Sequence, residues 1–406
     1  MESEKIIFQQ LPETRRSLRI AIVTETYPPE INGVAITVQR MVEGLRARDH
    51  EIQLIRPRQG RNDHAVAEPR FEEVLRKGLS IPRSENLKMG LPAKQTLVRM
   101  WSLNRPDLVH IVTEGPLGWS ALAAAVKLRI PCSSDFHTNF HNYSKHYGIG
   151  WLRKPISGYL RRFHNKANRT LVPTAAMRDD LESHGYLNLR VVPRGVDTRL
   201  FAPAKRSAEL RRNWGVTPDQ TVALYVGRLA PEKNLDTVIN AYAAMRAAEP
   251  GVRLVLVGDG PERTALQARN REIIFAGMQT GEALAAHYAS GDIFLFPSIT
   301  ETFGNVTVEA LASGLAVAAF DYAAAAEFIR DGENGMLAEF NDNRLFVNLA
   351  VRLACDRKRM KALGKAARDT AEKLDWETVH DACEAALREV IAGQRPDKRS
   401  DNRMSA

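Results

Sequence analysis

Cysteine is scarce in this chain of 406 residues. Cys132, Cys355 and Cys383 are few, odd in number and far apart, so they offer neither a disulfide framework nor a zinc motif, and they fit a reducing compartment. No apolar run approaches the roughly 18 residues of a membrane-spanning helix. The charged opening MESEKIIFQQ lacks the apolar core of a secretory signal. Zinc-finger spacings, an RNP motif and an obvious recognition helix are all missing, which argues against nucleic acid as a partner. Gly258-Asp259-Gly260 follows a strand-like run, but Arg263 stands where a dinucleotide fingerprint needs its third glycine, so a nicotinamide dehydrogenase is excluded. What remains is an ordinary globular composition, 44% hydrophobic and 26% charged, with the length for two domains.

Charge is uneven. Residues 1–200 carry 31 Lys and Arg against 20 Asp and Glu, a net of +11, while the remainder carries 26 against 28. The whole +9 excess therefore lies in the first half. A basic domain seeks an anionic surface or a phosphorylated ligand, and charge alone does not choose between them.

Buried-strand runs punctuate both halves. After a polar leader, LRIAIVT, EIQLI and LVHIV alternate with a Pro/Gly loop and helical stretches, the pattern of βαβ units on a parallel sheet. The pattern restarts with VALYV, VRLVLV, IFLFP and LAVAAF. This predicts an α/β protein of two doubly wound, Rossmann-like domains, 1–195 and 196–375, joined near Pro193–Pro203. A closing amphipathic helix is expected over 376–392, before a polar, disordered tail at 393–406.

Two loops carry chemistry. Gly227-Arg228-Leu229-Ala230-Pro231-Glu232-Lys233-Asn234 follows a strand directly and brings a guanidinium fork and an ammonium to one sheet edge, the cations a diphosphate needs. SITETFGNVTVEALASG, residues 298–314, follows another strand and leads into a helix whose N-terminus suits an anion. Glu301 and Glu309 flank that place, and a carboxylate there suits the paired hydroxyls of a sugar or ribose; on spacing alone, they also read as a loop acid and a helix-face acid.

Together these segments resemble the retaining glycosyltransferases of family 4, which have the GT-B fold. The resemblance rests on Pro297-Ser298, Glu301, Phe303-Gly304, Glu309-Ala310 and Gly314, and on Gly227 through Asn234. It extends to Pro193-Arg194-Gly195-Val196-Asp197, Asp331 through Gly335, and Pro28-Pro29 with Asn32-Gly33-Val34, and so spans about residues 18–390. It implies two domains facing across a cleft, with the last helix crossing back to the first domain. It also implies that Arg228 and Lys233 bind the donor diphosphate, Glu309 the ribose and Glu301 the donor sugar. Phe303, Gly304, Asn305 and Val306 would line the sugar and phosphates, Met278 would meet the base, and Gly33 would admit the donor phosphate. His137, in Ser134-Asp135-Phe136-His137-Thr138, matches the family's active-site histidine. Ala323 to Ala326 depart from the glycine-rich loop many members carry before the acid at Glu327. No Asp-x-Asp triplet occurs, so no essential metal or other cofactor is expected.

The acceptor side is read from WLRKPISGYLRRFHNKANR, in which Trp151, Arg153, Lys154, Arg161 and Arg162 make a basic, aromatic-bearing segment suited to an anionic bilayer, its helix confined by Pro155 and Gly158 to the residues after 158. The alternative is a helix that packs Tyr159, Leu160 and Phe163 inward. Lys77, Arg83, Lys88 and Lys94 interleave with Leu79, Ile81, Leu87, Met89 and Leu91 in a second such stretch. The resemblance is strongest to the branch that glycosylates lipids, including sulfolipid synthases and mannosyltransferases. The expected partners are a UDP-sugar or GDP-mannose donor and a lipid acceptor at the inner face of the plasma membrane. A soluble or polysaccharide acceptor is the rival, and a GT-B sugar-nucleotide epimerase is a more distant one.

Overall fold

The computed structural model describes residues 16–30, 32–81, 84–137 and 153–393. The expected leader up to residue 15 and the tail from 394 lie outside the described residues. Two parallel sheets organise the chain. In the first, β1 (Arg19–Val23), β2 (Glu51–Pro57), β3 (Ala67–Glu68), β4 (Phe71–Arg76), β7 (Leu108–Ile111), β8 (Cys132–Asp135), β9 (Arg169–Val172) and β10 (Leu189–Val191) are ordered β10-β9-β8-β7-β1-β2-β4-β3, with only β3 antiparallel. Between them a separate antiparallel hairpin forms from β5 (Gly78–Ile81) and β6 (Ser84–Gly90). The second sheet contains β11 (Val222–Val226), β12 (Arg253–Val257), β13 (Ile274–Gly277), β14 (Ile293–Phe296), β15 (Ala316–Phe320) and β16 (Met336–Ala338), ordered β13-β12-β11-β14-β15-β16.

Helices cover both sheets: α1 (Gly33–Ala47), α2 (Lys94–Leu103), α3 (Pro116–Leu128), α4 (Arg153–His164) and α5 (Ala175–Ser183) in the first half. In the second half are α6 (Ala208–Asn213), α7 (Leu235–Ala248), α8 (Arg263–Arg269), α9 (Gly281–Ser290), α10 (Asn305–Ala312), α11 (Ala323–Phe328), α12 (Asn343–Cys355), α13 (Arg357–Ala371) and α14 (Trp376–Ala392). Continuous apolar strands such as VALYV are buried along their whole length because helices lie on both faces. In each sheet the strand order reverses once, between β1 and β7 and between β11 and β14. Loops leaving those pairs run to opposite faces and open a crevice at the C-terminal strand ends, where ligands of such sheets bind.

Helix α14 belongs, by packing, to the first sheet. Its Cys383, Ala386, Leu387 and Val390 sit in one core with Ile20 and Ile22 of β1, Val38 and Leu45 of α1, and Leu54 of β2. Its polar face is anchored as well: Arg48 donates to Glu377 at 2.8 Å and to Asp381 at 3.0 Å, and buried Glu384 accepts from Arg388 at 2.7 Å. Gly44 of α1 lies against the ring of His380, so close that a Cβ there would overlap it. The chain thus leaves the first domain, builds the second and returns.

In the basic segment the helix is longer than its sequence implies. Helix α4 starts at Arg153, not after Gly158. Pro155 falls in the first turn, where the amide it lacks would have no intrahelical partner, so it does not delay the helix.

Because Leu387 is fully buried between α1 and β1, Leu387→Ala should cost about 2–5 kcal/mol of stability. Urea denaturation of the full chain would measure it; a midpoint unchanged from that of the parent would mean that α14 does not complete the core.

Candidate active site

The reversal between β11 and β14 brings the two motif loops face to face. After β11 the chain turns at Gly227, whose φ of +156° sits at the edge of what a side chain tolerates, over the Tyr225 ring. Arg228 is half exposed, with its guanidinium 3.7 Å from the fully buried carboxylate of Glu232. A single 3-10 turn, Pro231–Lys233, then places Lys233 in an ion pair with Glu301 of the opposite loop. Glu301 also accepts from Ser298 Oγ at 2.6 Å, and its backbone carbonyl accepts from the Tyr322 hydroxyl at 2.7 Å. Two cations and one oriented carboxylate therefore share the mouth of the crevice.

The Glu301 loop continues into α10. Gly304 adopts φ +92°, a left-handed turn that glycine enters without a Cβ penalty, and Asn305 opens the helix. Phe303 is anchored in the core against Phe328, with ring centroids 5.9 Å apart. Glu309, on the next turn, accepts from the buried Tyr288 hydroxyl at 2.8 Å. Burial pushes its pKa up to about 7, with the Tyr288 hydrogen bond opposing the shift. Val306 is half-buried beside it, and its carbonyl lies 3.4 Å from the same Tyr288 hydroxyl. Met278 follows β13 and is 52% exposed at the end of that strand. Ala323, in the alanine run that replaces glycines, holds φ +54°, and Ala324 N donates to Phe303 O at 2.8 Å. The loop keeps a left-handed turn here with alanine, at a cost of about 1–2 kcal/mol.

The first domain forms the other wall. Asn32 caps α1 through its side chain, and the Gly33 carbonyl accepts from Asn305 Nδ2 at 3.4 Å, a direct contact across the cleft. A Cβ on Gly33 would come within 3.3 Å of that amide. At the β1/β7 reversal, Glu25 accepts from Leu117 N at 2.9 Å and so serves as the missing cap of α3. Burial raises Glu25 to about 7, the backbone hydrogen bonds opposing and neighbouring Glu114 adding to it. His137 lies just past β8. Its Nε2 is 3.0 Å from Asp135 Oδ2 and its Nδ1 is 3.2 Å from Arg194 of the interdomain connection. Sequence reading assigned no role to Tyr288, Glu232, Asp135 or Arg194. Glu232, Asp135 and Arg194 lay within quoted motifs, while nothing local marked Tyr288.

The basic segment divides in two. Trp151 lies outside the described residues, and Arg153 opens α4. Lys154, Arg161 and Arg162 are exposed, and Arg161 also donates to the His184 carbonyl at 3.1 Å. Leu160 and Phe163 are buried, Phe163 packing edge-on against Trp119 at 5.2 Å, and the Tyr159 hydroxyl donates to the Glu114 carbonyl at 2.6 Å. The aliphatic and Phe side of this helix is thus core, as the inward-packing alternative had it, and only its basic rim with part of Tyr159 faces outward. In the hairpin, Leu79 and Met89 are cross-strand partners and both are exposed. No helix among the described residues is long and apolar enough to cross a membrane.

Comparison with known proteins adds the family. Residues 31–200 match Glycosyltransferase Family 4 and residues 206–370 match Glycosyl transferases group 1. A GDP-mannose-dependent alpha-mannosyltransferase of Corynebacterium glutamicum is 32% identical over 90% of this chain and 88% of its own. An alpha-monoglucosyldiacylglycerol synthase of Acholeplasma laidlawii is 29% identical over 92% of this chain and 98% of its own. Among solved structures, a sucrose-phosphate synthase from Thermosynechococcus elongatus, at 20% identity, superposes with a TM-score of 0.74 over 93% of this chain and 100% of its own, a likeness of fold. The two facing parallel sheets, the returning helix and these matches place the chain among the GT-B glycosyltransferases of family 4.

Proposed function

We propose that this glycosyltransferase moves a hexosyl group from a UDP-sugar or GDP-mannose to a hydroxyl of a membrane lipid, such as diacylglycerol or a phosphatidylinositol-like glycolipid, and retains the anomeric configuration to give an α-glycoside. The observation that carries the reading is the Lys233–Glu301 pair at the β11/β14 crevice, with Arg228 beside it and the Gly33 loop touching Asn305 opposite.

Cleavage of the sugar–diphosphate bond builds positive charge at the anomeric carbon and negative charge on the leaving oxygen. Arg228 and Lys233 neutralise that oxygen, assisted by amides at the start of α10. An arriving diphosphate takes Lys233 from Glu301 and frees the carboxylate for the sugar's hydroxyls. Glu309 holds the ribose, the backbone at Met278 meets the base, and His137 contacts the sugar. Charge on the leaving group is met by side-chain cations, so we read the reaction as metal-independent. Attack from the leaving-group face, with a phosphate oxygen taking the acceptor's proton, fits this residue set and needs no carboxylate nucleophile. In this reading the second domain binds the nucleotide sugar, and the first presents the acceptor from a membrane to which the Arg161/Arg162 rim and the Leu79/Met89 hairpin turn. The Acholeplasma laidlawii relative, named for a diacylglycerol product, supports the lipid acceptor, and the Corynebacterium glutamicum relative supports GDP-mannose.

Nucleotide release from a panel of UDP- and GDP-sugars, with and without lipid extract, tests the reading. Release from one donor, stimulated by lipid and unchanged by EDTA, is expected; stimulation by soluble sugars alone would favour the soluble-acceptor rival. Glu309 titrates near pH 7 and only its carboxylate accepts from both ribose hydroxyls. Donor affinity should therefore rise about tenfold from pH 6 to pH 8 and become flat in Glu309→Gln. A pH-independent Kd in the parent protein contradicts the ribose role. Arg161→Glu with Arg162→Glu should weaken sedimentation with anionic vesicles, most of all at low salt. Unchanged sedimentation removes the membrane role of this rim.

A further inference from the structure

A line of buried polar side chains runs from β7 to the interdomain connection. Ser133 Oγ is 2.9 Å from His110 Nδ1, and His110 Nε2 is 3.6 Å from Asp135 Oδ1. Asp135 Oδ2 is 3.0 Å from His137 Nε2 and 3.9 Å from Arg194 Nη2, which in turn donates to His137 Nδ1 at 3.2 Å. Asp135 is 2% exposed and the His137 side chain 6%. Two further groups face this set, the carboxylate of Glu114 toward His137 and the Cys383 thiol of α14 toward Asp135 and Arg194.

The hydrogen-bond chemistry determines where the proton lies. A guanidinium only donates, so His137 Nδ1 is the accepting nitrogen, and a neutral ring then carries its hydrogen on Nε2, the nitrogen 3.0 Å from Asp135 Oδ2. Burial lowers the His137 pKa, with Asp135 opposing and Arg194 adding to the shift, which keeps the ring neutral near pH 7. Burial would raise Asp135, but His110 and His137 outweigh it and hold the carboxyl well below its usual range. Asp135 and His137 are two residues apart on an extended chain, so their side chains leave the same face and can meet.

We propose that Asp135 is a positioning residue for the transfer: it pins Nε2–H of His137 and leaves Nδ1 as the one ring nitrogen able to accept from a donor-sugar hydroxyl, with Arg194 occupying Nδ1 until that hydroxyl replaces it. This rests on the reading of His137 as a sugar contact. Arg194 lies on the connection between the domains, so the nitrogen proposed to meet the sugar is held by the interdomain segment.

The first test needs no variant. In the full chain with ring-15N-labelled histidine at pH 7.5, His137, identified by the signal lost in His137→Gln, should show the Nε2–H tautomer. An Nδ1–H tautomer or an imidazolium overturns the proposal. The second is a double-mutant cycle with nucleotide release as readout. Asp135→Asn should lower kcat about 10–100-fold, with a smaller change in the donor KM. In the His137→Gln background the same change should alter kcat less than about twofold. Equal losses in both backgrounds mean a general structural role and overturn the proposal. Full turnover in His137→Gln alone would instead sink the sugar-contact reading, and the tautomer, read without substrate, tells the two failures apart.

Discussion

Reversal of strand order within each parallel sheet is the constraint on which the rest depends. Right-handed crossovers send the loops after β11 and β14 to opposite faces, so the chain leaves a crevice there whatever residues fill it. The sequence places its charged motifs on those two loops. Lys233 and Glu301 are 68 residues apart along the chain and meet because both follow strands that are neighbours in the sheet. Glycines at 227 and 304 supply the positive-φ turns that let each loop leave its strand sharply.

Two domains facing across a cleft also need a firm connection. The returning helix α14 strengthens that connection by burying Cys383, Ala386, Leu387 and Val390 in the first domain's core, while Val196 N donates to Leu374 O where the chain crosses twice. Arg40 reaches Asp197 at 2.7 Å in the same region. The two crossings thus lie side by side, next to Arg194. Across the open face, Asn305 approaches the Gly33 carbonyl at 3.4 Å.

Cations and carboxylates in the crevice are paired within and across its two loops. Arg228 leans on a buried Glu232, and the largely buried Lys233 pairs with Glu301, so neither cation lacks an acidic partner. Glu309 is different in kind: half-buried, it accepts from the Tyr288 hydroxyl, and burial brings its pKa up to about 7. The basic rim of α4 draws on the opposite principle, since Lys154, Arg161 and Arg162 stay in water and act at a distance limited by ionic screening.

Much of this protein is legible in its linear order. Fully apolar strand runs between helical stretches require a parallel sheet covered on both faces. The spacing from Pro297 to Gly314 and from Gly227 to Asn234 carries the family, because local turns and helix starts depend on nearby residues. Helix α4 shows where local reading stops: Leu160 and Phe163 beside arginines suit a bilayer or a core equally well, and only Trp119 and the strands beneath settle it. Asp135 lies two residues from His137 and is within local reach, but the other partner of that ring and the partner of Glu309 are not, for the same reason. Arg194 is 57 residues away, and Tyr288 stands 21 residues from the Glu309 it serves. The sequence by itself determined the elements, their turns and the charged groups at strand ends, since these depend on neighbours along the chain. Tertiary structure alone decided which groups are paired, buried or left to water, since a side chain's proton and charge depend on whatever distant segment the fold brings against it.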